Sequence, residues 1–213
     1  MKPLNQGILI SVEGIDGSGK STFALNLYNK LIAEKIPTVL TKQPGGTKLG
    51  VQLRNILHER PFEICPKSEY LLFAADRAQH IESIVQPALN KNKIVISDRM
   101  GDSSVVYQGY ARGLDTTKIE TINLWAMNNI KPDITFYIQL SPEQAIQRIK
   151  QRNLALTSFE KEGIDFIKSL VLGFETIFKK RSNVIWLDGT QSPKELTEKA
   201  FSSLSKIIAQ QHE

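Results

Sequence analysis

The chain has 213 residues, 41% of them hydrophobic and 23% charged, with a formal net charge of +5. That length and apolar share suit a single compact domain, residues 1–213, burying roughly 70% of its unfolded surface. The lysines and arginines are scattered among acids rather than clustered, which argues against a nucleic-acid partner and fits small anionic ligands.

Residues 7–13 contain the apolar run Ile8-Leu9-Ile10-Ser11-Val12 and read as a buried strand. Gly14-Ile15-Asp16-Gly17-Ser18-Gly19-Lys20-Ser21 follows, then Thr22, matching G-x-x-x-x-G-K-[ST] in the strand-before, helix-after setting that a phosphate-binding loop needs. The glycines let the backbone turn its N–H groups inward, and the next helix adds its positive end. Lys20 then reaches the β- and γ-phosphates of a nucleotide and Ser21 ligands Mg²⁺. Residues 20–34 read as that helix, with Phe23, Leu27, Leu31 and Ile32 on one face.

A short strand is expected over residues 37–41, then the turn Gln43-Pro44-Gly45-Gly46-Thr47, then a helix over 48–58. Pro66 opens a long helix to about residue 89, with Leu71, Leu72, Ala75, Ala78 and Ile81 as its apolar positions. Ile94-Val95-Ile96-Ser97 is a buried strand ending at Asp98-Arg99, and helical segments cover 103–109 and 115–128. A strand over 134–140 leads to Ser141-Pro142-Glu143, a helix cap followed by an N1 proline. That helix carries Arg148 and Arg152 into a polar stretch. A helix over 159–179, a strand over 184–187 and a helix opened by Ser192-Pro193 complete the chain.

Strands alternating with helices imply an α/β fold, a parallel sheet of about five strands with helices on both faces, and with the phosphate loop this is the P-loop NTPase class. Ligands then sit beyond the carboxyl ends of the strands. Asp98 is placed to hold Mg²⁺ or its waters and Arg99 to clamp phosphate oxygens, although an ion pair at a strand end would use the same residues. Arg54, Arg77, Arg99, Arg148 and Arg152 are the cations available to a phosphoryl-transfer site; each alone is better explained by a solvated helix face, and together they suit a site holding phosphates from two substrates.

Cys65 is the only cysteine and reads as structural, so no internal disulfide is available, and a reducing cytoplasmic compartment is expected. His58, His80 and His212 show no metal-ligand spacing, and neither a signal peptide nor a membrane-spanning run is evident.

The phosphate loop, then Gln43-Pro44-Gly45-Gly46-Thr47, Phe73-Ala74-Ala75-Asp76-Arg77, Asp98-Arg99, Ser103-Ser104 and Tyr107-Gln108-Gly109 together resemble the thymidylate kinase family across nearly the whole chain. The resemblance implies ATP-dependent phosphorylation of dTMP to dTDP for dTTP biosynthesis, by direct in-line transfer with Mg²⁺, in a homodimer. It implies that Asp16 bonds the deoxyribose 3′-hydroxyl, Phe73 stacks on thymine and Arg77 donates to its O4, with Ser104 and Gln108 at the base edge. Tyr107 would crowd the sugar 2′ position, and Arg54 and Arg99 would hold the acceptor phosphate. Residues 14–22 would bind ATP, Lys20, Asp98 and Arg99 would act in catalysis, Ser21 and Asp98 would hold the metal, and Asp188-Gly189-Thr190 would lie near adenine. Because Gly17 stands where some members carry arginine, the chain resembles the bacterial type, whose catalytic arginines lie in a lid. Here that lid is about 148–158, with Arg148 and Arg152 as its arginines.

Two departures stand out. Thr157-Ser158 precedes Phe159-Glu160 where Asp-Arg is common, removing a cation, and Lys42-Gln43 replaces Arg-Glu before the glycine turn. A related kinase with another acceptor and a nucleotide-binding protein of impaired activity are the competing readings. A GTPase-like switch ranks below both: Asp98-Arg99-Met100-Gly101 fits D-x-x-G, but Asn90-Lys91-Asn92-Lys93 lacks the acid of a guanine-reading motif.

Overall fold

The structure, a computed structural model, describes residues 4–152 and 155–210. Five strands, β1 (Ile8–Glu13), β2 (Thr38–Lys42), β3 (Ile94–Asp98), β4 (Ile134–Gln139) and β5 (Val184–Asp188), form one parallel sheet in the order β2-β3-β1-β4-β5. The chain goes from β1 outward to β2, returns to β3, and then crosses to the other side. The order therefore reverses around β1, and the crevice at its carboxyl end is where such a sheet takes ligand.

Both faces of the sheet are covered, which is why β1 and β3 are apolar almost throughout rather than alternating. Ile8, Ile10 and Val12 face α1 (Lys20–Ala33), while Leu9 turns to the opposite layer with Val95. Following α1 are α2 (Lys48–Glu59), α3 (Pro66–His80), a wide π-helical turn at Ile81–Val85 and α4 (Gln86–Leu89). Then come α5 (Gly101–Ser104), a second π-helical stretch at Val105–Ala111, α6 (Thr116–Ala126), α7 (Pro142–Gln151), α8 (Ile164–Phe178) and α9 (Pro193–Gln210). The α1–β4–α9 layer holds Phe23, Leu27, Phe136, Ala200 and Leu204. On the other side Tyr137 packs against Phe174 and Phe178.

Three expectations change. The rod over 66–89 widens into a π turn, in which Gln86 N–H reaches back to the Ile81 carbonyl. Pro87 has no N–H for the Ser83 carbonyl, and the wider turn ahead of it makes room for its ring. On α3 the buried positions are Glu69, Tyr70, Ala74, Asp76, Arg77 and His80, while Leu71 and Ala75 face outward, because this helix turns a polar stripe toward the site. The helix expected from 159 starts at Ile164. Gly163, at φ 90°, stops the α geometry ahead of it, and residues 157–160 close a separate turn.

Phe136 is fully buried, its ring 5.5 Å from Phe23 and edge-on to it. Phe136→Ala should lower the unfolding free energy by about 3–5 kcal/mol, read as a lower urea midpoint at unchanged m-value; a midpoint near wild type would show that the layer repacks.

Candidate active site

The loop after β1 is built against its neighbours as much as for a ligand. Gly19 caps α1 in the left-handed region at φ 97°, and a Cβ at Gly17 would stand 2.7 Å from the Ala145 carbonyl of α7. Glycine at position 17 is thus required by the approach of α7, which carries Arg148. Lys20 Nζ donates to the Ile15 carbonyl at 2.7 Å and lies 3.9 Å from Asp16 Oδ1. Burial, with Arg99 nearby, lowers its pKa to about 8, and an anion beside it reverses that shift. Ser18 is buried, and Ser21 and Thr22 face the cleft.

Arg99 sits at the centre. Its backbone is left-handed at φ 72°, a conformation that costs an ordinary residue on the order of 1 kcal/mol and persists only where the surroundings enforce it. The enforcement is visible: Nη1 donates to the Gly14 carbonyl and Ser103 Oγ, both at 2.9 Å, and Nη2 to Asp16 Oδ1 at 2.6 Å and Tyr107 Oη at 2.9 Å. Burial opposes the Arg99 charge, but the surrounding Tyr107, Asp16 and Glu13 outweigh it and hold the guanidinium protonated. Burial likewise works against the Asp16 carboxylate, yet Arg99 and Lys20 keep its pKa well below the usual range. Asp98 Oδ2 accepts from Ser21 Oγ at 2.5 Å, placing a carboxylate and a hydroxyl together at the start of α1. Two oxygens of this kind suit a hard cation such as Mg²⁺ that keeps most of its waters. Among the described residues, no group of three or more His, Cys, Asp or Glu is arranged for a metal.

Beneath Arg99 lies Glu13, fully buried, accepting from Ser11 Oγ, Met100 N–H and Ser103 Oγ. Burial raises its pKa to about 7, against the pull of Arg99 and these donors.

The glycine turn is held from α3. Asp76 Oδ1 accepts Gly45 N–H at 3.0 Å, and His80 bridges Thr41 Oγ1 at 2.6 Å and Gln43 Nε2 at 2.7 Å. Gln43 is thereby a scaffold side chain. Arg54 reaches back from α2 to the Pro44 carbonyl at 3.0 Å and lines the cleft. Phe73 is half-buried on the same face of α3. Arg77 is almost wholly buried: Nη1 donates to Asn123 Oδ1 at 2.7 Å and Nη2 to Ser104 Oγ at 3.0 Å, while Nε has no protein partner. Gln108 Nε2 donates to Glu69 Oε1 at 2.9 Å.

Asp16, Gly17 and Gly19 to Thr22 of the loop, with Arg54, Phe73, Asp76, Arg77, Asp98, Arg99, Ser104, Tyr107 and Gln108, border one cavity of about 860 Å³ that runs from Lys20 and Ser21 to Phe73 and Gln108, while Glu13, Glu69, His80 and Asn123 support it from behind. The thymidylate kinase family profile matches residues 12–200. The chain belongs to the thymidylate kinase family. A thymidylate kinase of Chlorobaculum tepidum is 39% identical over 210 residues, covering 94% of this chain and 98% of its own. That of Thermosipho africanus is 40% identical over 202 residues (94% and 97%), and that of Halothermothrix orenii 35% identical over 205 (95% and 99%).

Within this family member the two arginines expected of a lid, Arg148 and Arg152, are both engaged. Arg148 Nη2 donates to the Gly189 carbonyl at 2.8 Å, and Arg152, just past α7, pairs with Glu160 at 2.7 Å. Both border the cleft, as do Thr157, Phe159 and Glu160. Asp188-Gly189-Thr190 contributes the carbonyl that holds Arg148, but stands outside the cleft wall. Residues 153 and 154 of the expected lid lie outside the described residues.

Asp76, Phe159 and Glu160 stand within the motifs read from the sequence but are given no role there, and His58 and His80 are weighed there only as metal ligands. Phe73, Asp76, Arg77 and His80 fall at i, i+3, i+4 and i+7 of α3, a helical stripe that marks one face in the sequence.

Burial lowers the pKa of His58 and His80 to about 4 from an ordinary 6.5. The unfolded chain takes up these protons first as pH falls, so their contribution to stability is lost between pH 6.5 and 4, while Glu13 acts in the opposite sense. The difference in unfolding free energy between wild type and His80→Gln should therefore shrink by on the order of 3 kcal/mol between pH 7 and 4. A difference independent of pH would contradict a neutral, buried His80.

Proposed function

We propose that the chain transfers the γ-phosphoryl group of ATP to dTMP, giving dTDP and ADP; the observation that carries this reading is the single cleft running from the phosphate loop to the Phe73–Gln108 wall, with Arg99 between. A cleft with a polyphosphate end and a flat-ring end accommodates two nucleotides meeting at their phosphates. As a member of its family the chain is a nucleoside monophosphate kinase, a phosphotransferase.

In this reading residues 14–22 hold the ATP phosphates, with Lys20 on the β,γ oxygens. Arg54 and Arg99 orient the dTMP phosphate, Phe73 stacks on thymine, and Arg77, Ser104 and Gln108 face the base edge. Tyr107 and Asp16 read the sugar. Ser21 and Asp98 would hold Mg²⁺, which supplies neutralisation of the β,γ charge. An acceptor phosphate oxygen attacks the γ-phosphorus, the bond to the β-bridging oxygen breaks, and ADP leaves with the electron pair; no enzyme nucleophile takes part. Lys20, Arg99, Arg148 and Arg152 supply the positive charge such a transition state needs.

The reading includes one kinase domain, residues 1–213, in which 148–158 cover the donor, and a cytoplasmic enzyme without nucleic-acid or membrane partners. No described helix is long and apolar enough to cross a membrane. It also includes a homodimer. α3 and α6 pack through Tyr70 and Ile119 and carry Leu71, 49% exposed, and Trp125, 80% exposed, outward.

With Mg·ATP and an acceptor panel, ADP release should be robust with dTMP and about 100-fold lower in kcat/KM with UMP, whose ribose hydroxyl meets Tyr107. Tight dTMP binding without turnover would favour an impaired binding protein, and turnover with a different monophosphate would reassign the acceptor. Sedimentation equilibrium should give twice the chain mass, and Trp125→Asp should shift it toward the monomer; a monomeric wild type removes the dimer.

A further inference from the structure

We propose that Glu160 is the positioning residue for Arg152, and that Phe159 and Ser158 tie Glu160 to the acceptor side of the cleft, so that the wall around the acceptor base sets where a donor-side arginine stands. This rests on the reading of the cleft given above. Arg152 has a long side chain, 41% exposed, and left to itself it would sample many rotamers. Instead Nη2 donates to Glu160 Oε1 at 2.7 Å, on a carboxylate whose side chain is only 3% exposed.

Glu160 is itself fixed. Its Oε2 accepts Thr157 N–H at 2.9 Å, while Glu160 N–H donates to Thr157 Oγ1 at 3.3 Å. This is the reciprocal arrangement of a capping box, closing a turn rather than opening a long helix. One carboxylate oxygen is thus committed to the turn, and the other is left for Arg152. The guanidinium has five N–H donors, so the bond to Glu160 leaves most of them for phosphate oxygens.

The turn is anchored in the opposite wall. Ser158 N–H donates to the His58 carbonyl at 3.3 Å and Ser158 Oγ to the Leu57 carbonyl at 3.0 Å, at the end of α2, the helix that carries Arg54. The Phe159 ring lies 6.0 Å from Phe73, 5.8 Å from Tyr107 and 6.2 Å from His58, with the Arg60 guanidinium 5.0 Å above it. The residues standing where an Asp-Arg pair is common therefore serve as anchors: Thr157 orients Glu160, and Ser158 fastens the turn to α2. The cation missing from position 158 is replaced by Arg152, held from the side. A base resting on Phe73 stabilises Phe159 in its place, and through it the Glu160–Arg152 pair.

The test is a double-mutant cycle in kcat and KM with Mg·ATP and dTMP. Glu160→Gln keeps an oxygen for Thr157 N–H, so the turn is retained while the ion pair to Arg152 is lost. It should lower kcat about tenfold with KM for dTMP within about twofold, and should cause no further loss in an Arg152→Ala background. Arg152→Ala, at a partly exposed side chain, should by itself lower kcat at least as far, which keeps the test independent of how well Glu160→Gln folds. The same cycle read by calorimetry on ATP alone is independent of the acceptor: Glu160→Gln should weaken ATP several-fold only where Arg152 is present. Wild type inactive with dTMP but showing this coupling on ATP would sink the acceptor assignment and leave the positioning role standing. Equal losses from Glu160→Gln in both backgrounds, wild-type kcat in Arg152→Ala, or an effect confined to KM for dTMP would each overturn it.

Discussion

The site depends on keeping one buried arginine charged and in place. Arg99 leaves β3 in a left-handed conformation and spends its guanidinium on the phosphate loop, Asp16, Ser103 and Tyr107. A buried cation is stable only when matched by anions and acceptors, and this one is matched from both halves of the cleft. The cost of its backbone geometry is offset by bonds that tie β1, α5 and the following π-helical stretch together. The phosphate loop and the wall carrying Ser103 and Tyr107 thus share a common reference point.

The α3 helix extends the same logic. Its inward face carries Phe73, Asp76, Arg77 and His80 where a core helix would carry aliphatic residues, and most of the polar atoms on it are used, Asp76 Oδ2 and Arg77 Nε excepted. Asp76 holds Gly45, His80 holds Thr41 and Gln43, and Arg77 holds Ser104 and Asn123. Buried polar networks of this kind are rigid when satisfied and costly when not. The neutral Gln43–His80 contact explains how a chain with glutamine before the glycine turn retains that turn: the amide meets an imidazole that burial keeps unprotonated.

At the phosphate loop the constraint is steric. The Ala145 carbonyl occupies the space a side chain at Gly17 would need, so α7 lies directly against the phosphate loop. Arg148 and Arg152 project from the end of that helix, where a short lever to the loop limits how far they stray. Their partners are the Gly189 carbonyl, 41 residues on from Arg148, and Glu160, in the turn eight residues after Arg152.

The sequence by itself determined the parallel α/β architecture, the phosphate loop, the Asp98-Arg99 pair and the family resemblance. These rest on local patterns: a glycine spacing, apolar runs of strand length, and a cap such as Ser141 with Gln144. It misjudged α3, because Leu71 and Ala75 look like core and face solvent, whereas Asp76 and Arg77 look like surface and are buried. It also ran the helix now beginning at Ile164 back to Phe159. Only the tertiary structure decided that Gly17 answers to α7, that Gln43 belongs to His80, and that Glu160 pairs with Arg152 while Phe159 leans on Phe73. The Gly17, Gln43 and Phe159 contacts join segments distant in the chain, and the Glu160–Arg152 pair closes over eight residues through a turn fastened to α2; the free energy of such contacts comes from desolvation and packing that no local pattern encodes.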